Sequence, residues 1–157
     1  MELEVVKAIL VALAREQVEY VLVGGVAVNV HGLGRATKDI DLFIRPDADN
    51  IRRLRRALHS VFDDPSIDEI TAEDLMGSYP TVRYGPPDGT FVVDLMTRLG
   101  TAFAYADLEA ETLDIDGVPV VVATPRTLVR MKKDTVRLQD RADAEALRAR
   151  FGLEDEE

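Results

Sequence analysis

The chain has 157 residues, of which 46% are hydrophobic and 31% are charged, a composition typical of a soluble globular protein rather than a disordered one. It contains no cysteine and only two histidines, which excludes disulfides and thiolate metal sites and disfavours a histidine-rich zinc site. Its net charge of −10 argues against non-specific nucleic-acid binding over the whole surface. We expect a single domain over residues 1–152, followed by a short acidic tail over residues 153–157.

The first predicted element is an amphipathic helix over residues 2–16, in which apolar side chains recur at helical spacing. The apolar stretch within it, residues 8–14, is too short to span a bilayer and does not have the pattern of a signal peptide. We therefore expect a cytoplasmic protein without a membrane partner.

The next segment, residues 20–44, contains two predicted strands that flank a glycine pair. The second strand, residues 39–44, carries Asp39 and Asp41, and side chains two apart on a strand point to the same face. Two carboxylates at such a short distance repel each other unless a cation lies between them, and hard divalent cations take oxygen ligands. The pair therefore predicts a metal site.

Gly24 and Gly25 end the first strand and precede residues 26–30, whose alternating valines suit either a strand or a short helix. Glycine lacks a Cβ atom, so a ligand can approach the main-chain N–H groups closely. If a helix starts there, its positive dipole end favours an anion. The glycine pair is therefore a candidate phosphate site beside the two carboxylates.

A helix is predicted from Asp47 to residue 61, with Asp47 at or next to its cap, and a short capped helix is predicted over residues 71–76. The longer helix carries four arginines, Arg52, Arg53, Arg55 and Arg56. They indicate either a solvated face that nearby carboxylates partly neutralise or a groove for an RNA acceptor, and we favour the first interpretation.

Residues 81–84 and 90–96 predict two strands of a hairpin around the turn over residues 85–89. The second strand contains Asp94 within an otherwise apolar run. Because an isolated buried charge is costly, this carboxylate must be exposed, paired or bound to a metal. Alone, it fits an outward residue of an edge strand, but together with Asp39 and Asp41 it predicts a third acidic residue of the same site.

Two further strands are predicted within residues 107–123 around the turn Asp116-Gly117. The pair Thr124-Pro125 predicts a helix start, with a capping side chain followed by proline at the first helical position. A last helix is predicted to start at Asp140 and to end near Gly152.

These motifs resemble the nucleotidyltransferase superfamily typified by DNA polymerase beta, in which a glycine pair precedes two acids separated by one apolar residue and a third acid follows on a later strand. The closer resemblance is to small bacterial nucleotidyltransferases grouped with Abi-type toxins. The residues that carry it are Gly24-Gly25, His31-Gly32, Arg35, Thr37, residues 39–42, and a C-terminal pattern with Lys132, Arg137, Asp140 and Asp143. The chain departs from the superfamily at Val26, where many members have serine, and at Val136 and Leu138, where glycine and proline are frequent.

The resemblance implies an α/β (α+β) fold with a mixed central β-sheet flanked by helices, and it favours a helix over residues 26–30. It also implies transfer of a nucleotide from a nucleoside triphosphate, such as ATP, to a hydroxyl of tRNA or protein, with release of pyrophosphate. An antitoxin or a second copy of the chain is the expected partner. Mg²⁺ or Mn²⁺ would be held by Asp39, Asp41 and Asp94, the last either as a ligand or as the base that accepts the proton. The nucleotide would be bound by Gly24, Gly25, Arg35, Thr37 and Lys132.

Two other interpretations remain open. A non-catalytic nucleotide- or partner-binding module could carry the same residues. A metal-dependent glycosyltransferase shares the Asp-X-Asp pattern of residues 39–41, but it does not predict the glycine pair or Asp94. For His31 we favour a structural or capping role over that of a base.

Overall fold

The computed structural model describes residues 3–32, 39–87, 91–99, 103–132 and 138–153. Its strands are β1 (Tyr20–Val23), β2 (Asp39–Ile44), β3 (Thr81–Tyr84), β4 (Val92–Met96), β5 (Arg98–Leu99), β6 (Phe103–Ala104), β7 (Ala110–Ile115) and β8 (Val118–Ala123). Six of them form one mixed sheet in the order β3-β4-β2-β1-β8-β7, and β5 and β6 form a separate two-stranded ladder. The expected mixed central sheet is confirmed.

The helices are α1 (Leu3–Arg15), α2 (Gly24–Val30), α3 (Ala48–Val61), α4 (Ala72–Leu75), α5 (Pro125–Lys132) and α6 (Leu138–Phe151). The helix expected over residues 26–30 is therefore present, and it begins at the glycine pair itself. Asp47 caps α3 by accepting a hydrogen bond from the Asp49 N–H at 2.9 Å. Asp140 lies within the last helix and not at its start, because the described part of this helix already includes residues 138 and 139. No helix in the described part of the chain is both long and apolar enough to cross a membrane.

The core lies on both faces of the central strands. All four residues of β1 are buried, which is why this strand reads as a continuous apolar run rather than an alternating one. The predicted apolar stripe of α1 is buried, and α1 packs against α3 and β8. Helix α2 packs against β1 and β2, and the glycine pair lies at the end of the buried strand β1.

The four arginines of α3 have partners that fit a surface face. Arg52 pairs with Asp49 at 3.0 Å, while Arg53 and Arg56 lie 3.8 Å and 3.7 Å from Glu19 and Glu16. Arg55 donates to the Ile70 carbonyl at 2.8 Å. Glu16 and Glu19, which neutralise two of these arginines, thus come from the segment between α1 and β1. The sequence of α3 alone does not predict these partners.

Candidate active site

Three carboxylates, which we call the acidic triad, lie together where the central strands meet. They are Asp39, Asp41 and Asp94, and one carboxylate oxygen from each lies within 4.8 Å of the others. Asp94 is buried, and the other two are partly buried. Carboxylate oxygens are the donors that hard divalent cations prefer, and three like charges this close are unfavourable without a cation. The donor set therefore fits a divalent metal ion.

Strand register brings the acidic triad together. β2 and β4 are parallel neighbours, and Asp41 lies directly opposite Asp94. Asp39 lies on the same face of β2 as Asp41, as alternation predicts. On its other side β2 is antiparallel to β1, with Asp41 opposite Val23. The acidic triad therefore lies beside the residue that immediately precedes the glycine pair.

The glycine pair begins α2 next to the acidic triad. Gly24 has a φ of +73°, in the left-handed region that favours glycine, so the chain turns sharply out of β1 into the helix. The N-cap residue of α2, Val23, forms no side-chain hydrogen bond to the helix. The start of this helix thus lacks the side-chain cap that serine, threonine or aspartate would supply.

Arg83 joins the acidic triad from the edge strand β3. Its Nε donates to Asp94 Oδ1 at 2.9 Å, and its Nη2 donates to Oδ2 at 3.3 Å. These hydrogen bonds raise the pKa of Arg83 most, and the negative charges of Asp39 and Asp41 raise it further. The sequence motifs do not single out Arg83. Its only signal is a position in the first strand of the predicted hairpin, opposite the strand that carries Asp94.

Asp94 is thus both buried and paired, one of the situations in which a carboxylate within an apolar strand is tolerated. Its side chain is only 10% exposed, whereas that of Arg83 is 69% exposed. The alternative of an outward edge-strand carboxylate is wrong, because β4 lies between β2 and β3 within the sheet.

The side chains of three predicted nucleotide-binding residues lie outside the part of the chain that the structure describes. Arg35 and Thr37 lie outside the described residues. Lys132 is the last residue of α5, and only its backbone is described. Helix α5 itself starts as predicted, with the Thr124 hydroxyl accepting from the Thr127 N–H at 3.2 Å. The roles of these three side chains stay predictions.

His31 has structural contacts at the end of α2. Its ring is buried, and its Nε2 donates to the Ala123 carbonyl at 2.9 Å. The ring also packs edge-on against Phe151 of α6, with 5.5 Å between the ring centres. Arg150 adds a hydrogen bond from its Nε to the His31 carbonyl at 2.9 Å. These contacts link α2, β8 and α6, as a structural histidine would.

The fold and the family comparison define a nucleotidyltransferase. Residues 8–132 match the family model described as "Nucleotidyl transferase AbiEii toxin, Type IV TA system". The chain belongs to this family of toxin–antitoxin nucleotidyltransferases, which confirms the resemblance seen in the motifs. Such an enzyme needs a nucleotide substrate, and its family implies an antitoxin partner.

Solved structures support the same fold. The lincosamide antibiotic adenylyltransferase LnuA, solved with lincomycin, is 12% identical, with a TM-score of 0.61, and the match covers 95% of this chain and 98% of that one. ANT(2")-Ia, solved with adenylyl-2"-tobramycin, is 16% identical with a TM-score of 0.53, and 95% of each chain is covered. A putative nucleotidyltransferase from Thermotoga maritima is 16% identical with a TM-score of 0.53, covering 96% of this chain and 92% of that one. A comparison with curated proteins gives no significant sequence match.

Proposed function

We propose that the protein uses Mg²⁺ or Mn²⁺ to transfer a nucleoside monophosphate from a nucleoside triphosphate to an acceptor hydroxyl, and that it releases pyrophosphate. The observation that carries the proposal is the convergence of three carboxylates within 4.8 Å beside the strand that leads into Gly24-Gly25. If Asp39 and Asp41 were only surface residues of one strand, there would be no reason for the Asp94 carboxylate of a neighbouring parallel strand to lie beside them. The arrangement supports metal-assisted phosphoryl chemistry.

In this proposal Asp39 and Asp41 hold the metal, and Asp94 either completes the ligand set or accepts the proton of the attacking hydroxyl. The bound ion would neutralise charge on the phosphate oxygens and on the leaving pyrophosphate. Most of the rate enhancement would come from positioning and from charge neutralisation.

The main-chain N–H groups of Gly24 and Gly25 would bind the phosphates of the nucleotide. The turn at Gly24 and the absence of a capping side chain at Val23 support this role, since the first N–H groups of a helix have no partner within the helix. Arg35, Thr37 and Lys132 are proposed as further nucleotide contacts from the family resemblance. ATP is the first triphosphate to test, because both antibiotic-modifying neighbours are described by adenylyl transfer.

The acceptor is proposed to be a tRNA end or a protein hydroxyl in the cytoplasm. An antitoxin is proposed to control the enzyme, and a second copy of the chain is the alternative partner. LnuA was solved with lincomycin and ANT(2")-Ia with adenylyl-2"-tobramycin, so small antibiotics belong in the acceptor panel.

The test is incubation of the purified protein with each α-labelled nucleoside triphosphate and Mg²⁺, with total tRNA, cell extract and an aminoglycoside as separate acceptors. The Asp39→Asn and Asp41→Asn variants remove one charge each from the acidic triad. Asp49→Asn is the matched control, because it removes the same charge from an exposed carboxylate on α3 outside the acidic triad. We expect label transfer by the wild type and the control, and a loss of about 100- to 1,000-fold in the triad variants.

Transfer that survives in both triad variants would contradict the proposed site. If no acceptor is labelled but the wild type binds triphosphate in a Mg²⁺-dependent way, the non-catalytic binding module is the better interpretation. Absence of both transfer and Mg²⁺-dependent nucleotide binding would overturn the proposal.

A further inference from the structure

Two hydrogen bonds join Arg83 on the edge strand to Asp94 of the acidic triad. Arg83 donates from two nitrogens to the two oxygens of one carboxylate, at 2.9 Å and 3.3 Å. Arginine can make this forked contact because its guanidinium is planar and its donors are fixed relative to each other. The carboxylate is consequently held in orientation as well as in position.

The register of three neighbouring strands places the contact between Arg83 and Asp94 next to the other carboxylates of the acidic triad. Arg83 lies directly opposite Asp94 in the antiparallel pair of β3 and β4, and Asp94 lies directly opposite Asp41 in the parallel pair of β4 and β2. The three side chains therefore form one row across the sheet, with Arg83 at the edge. Directly opposite residues on neighbouring strands have side chains close enough to interact.

The two partners of this pair differ in burial. The Arg83 side chain is 69% exposed, so water can solvate its charge without a partner. Asp94, in contrast, is 10% exposed and carries a charge that a buried position disfavours. The pair therefore acts mainly on Asp94, whose negative charge it partly offsets within the acidic triad.

We propose that Arg83 is a positioning residue that holds the Asp94 carboxylate in its working orientation and weakens metal binding at the acidic triad by offsetting one negative charge. This inference rests on the proposed function, because it requires the acidic triad to bind a divalent cation. Each carboxylate oxygen has two lone pairs, so Asp94 can accept from Arg83 and still face a cation. Weak binding of the divalent ion by the free protein suits this reaction, because the ion would enter with the nucleoside triphosphate and leave with pyrophosphate.

The proposal predicts two effects of opposite sign in Arg83→Gln. The free protein should bind Mn²⁺ about tenfold more tightly, because a nearby unit charge acts on a divalent ion even through a high dielectric. The kcat for nucleotidyl transfer should fall, by about tenfold or more, because the Asp94 carboxylate is no longer held in place. Removal of a residue that only supports the fold would not strengthen metal binding and at the same time lower kcat.

Arg83→Lys separates charge from orientation. Lysine keeps the positive charge but cannot donate from two fixed nitrogens to both carboxylate oxygens. The Mn²⁺ affinity should therefore stay within about twofold of the wild type, while kcat should be as low as in Arg83→Gln. Arg52→Gln is the matched control, because Arg52 is also an exposed arginine paired with a carboxylate, and its loss changes the net charge of the protein equally.

The experiment is calorimetric titration of the nucleotide-free proteins with Mn²⁺, followed by initial-rate measurements over a range of Mg²⁺ concentrations. Unchanged or weaker Mn²⁺ binding by Arg83→Gln, with the wild type binding normally, would overturn the inference and leave the proposed function intact. An unchanged kcat in Arg83→Gln would also overturn it. If the wild type binds no Mn²⁺, or if Asp41→Asn binds Mn²⁺ as the wild type does, the proposed metal site is wrong. The inference is then wrong as well.

Discussion

Gly24 and Asp41 fit together so closely that no other residue type fits at position 24 without moving the carboxylate. A Cβ atom added to Gly24 would lie 2.7 Å from Cγ of Asp41 and closer still to its Oδ2. The phosphate-site candidate and the metal-site candidate are therefore parts of one packed unit. Displacement of the Asp41 carboxylate would change its distance from Asp39 and Asp94.

The first prediction concerns Gly24→Ala. The positive φ of residue 24 makes alanine unfavourable by about 1–2 kcal/mol, and the added Cβ pushes the Asp41 carboxylate away. We expect that loss of stability together with a fall of about 100-fold in transfer activity, because displacement of a reacting group by roughly 1 Å can have that effect. Urea unfolding and the labelled-nucleotide assay measure the two effects.

Gly117→Ala is the matched control for this variant. Gly117 has a φ of +83° in the β7–β8 turn, and nothing lies within 4 Å of its added Cβ. It should lose a similar amount of stability and keep its activity. Equal activity of the two variants would show that the contact between Gly24 and Asp41 does not matter for function.

The second prediction concerns stabilisation by the metal. An ion that binds only the folded state at 100 times its Kd should stabilise the wild type by about 2.7 kcal/mol, and chelation by EDTA should reverse the effect. Asp41→Asn should lose this response, and its Tm without metal should equal or exceed that of the wild type, because neutralisation relieves repulsion in the acidic triad. Thermal unfolding with and without Mg²⁺ measures both effects. A full Mg²⁺ response in Asp41→Asn, or its loss in the surface control Asp49→Asn, would contradict the assignment.

The third prediction concerns pH and Asp64. A hydrogen bond from the Tyr84 hydroxyl at 2.6 Å holds the pKa of Asp64 below its ordinary value, and the Ser66 hydroxyl and N–H lower it further. A carboxyl whose folded-state pKa is depressed stabilises the protein above its unfolded pKa, about 3.9, and that stabilisation is lost as the pH falls through the lower folded value. Asp64→Asn should therefore be less stable than the wild type near neutral pH, and the difference should shrink below about pH 4.

Urea unfolding from pH 3 to pH 7 measures this difference. Tyr84→Phe, which removes the hydrogen bond with the largest effect, should behave as an intermediate between the two proteins. A constant difference between Asp64→Asn and the wild type over the whole range would show that Asp64 acts through packing instead of through its charge.

The fourth prediction concerns His31. Its ring donates to the Ala123 carbonyl and packs on Phe151, so His31→Ala should destabilise the protein by about 1–3 kcal/mol. The pH dependence of kcat should not change, because these contacts are structural. His31→Gln, which keeps a donor, should recover part of the lost stability. A variant with wild-type stability and an altered pH profile of kcat would instead identify His31 as a base.

Several parts of the fold could be predicted because their signals are local. The period of two in residues 39–44 predicts a strand with Asp39 and Asp41 on one face, and the structure has a strand with the same bounds. Capping residues and turn chemistry likewise predict the starts of α3 and α5 and the turn at Asp116-Gly117, where both residues have positive φ. Each of these patterns is decided by side chains within a few residues of one another.

Strand pairing and register were decided by the tertiary structure. Asp41 and Asp94 are 53 positions apart in the chain, and their union depends on β4 lying parallel to β2 in one particular register. Arg83 reaches Asp94 only because the β3–β4 hairpin places them opposite each other. Shifting a strand by one residue would turn every side chain to the other face, and no local pattern encodes the register of two distant strands. The sequence alone thus determined which carboxylates were candidates, whereas burial of the apolar strand faces in one sheet decided which side chains meet them.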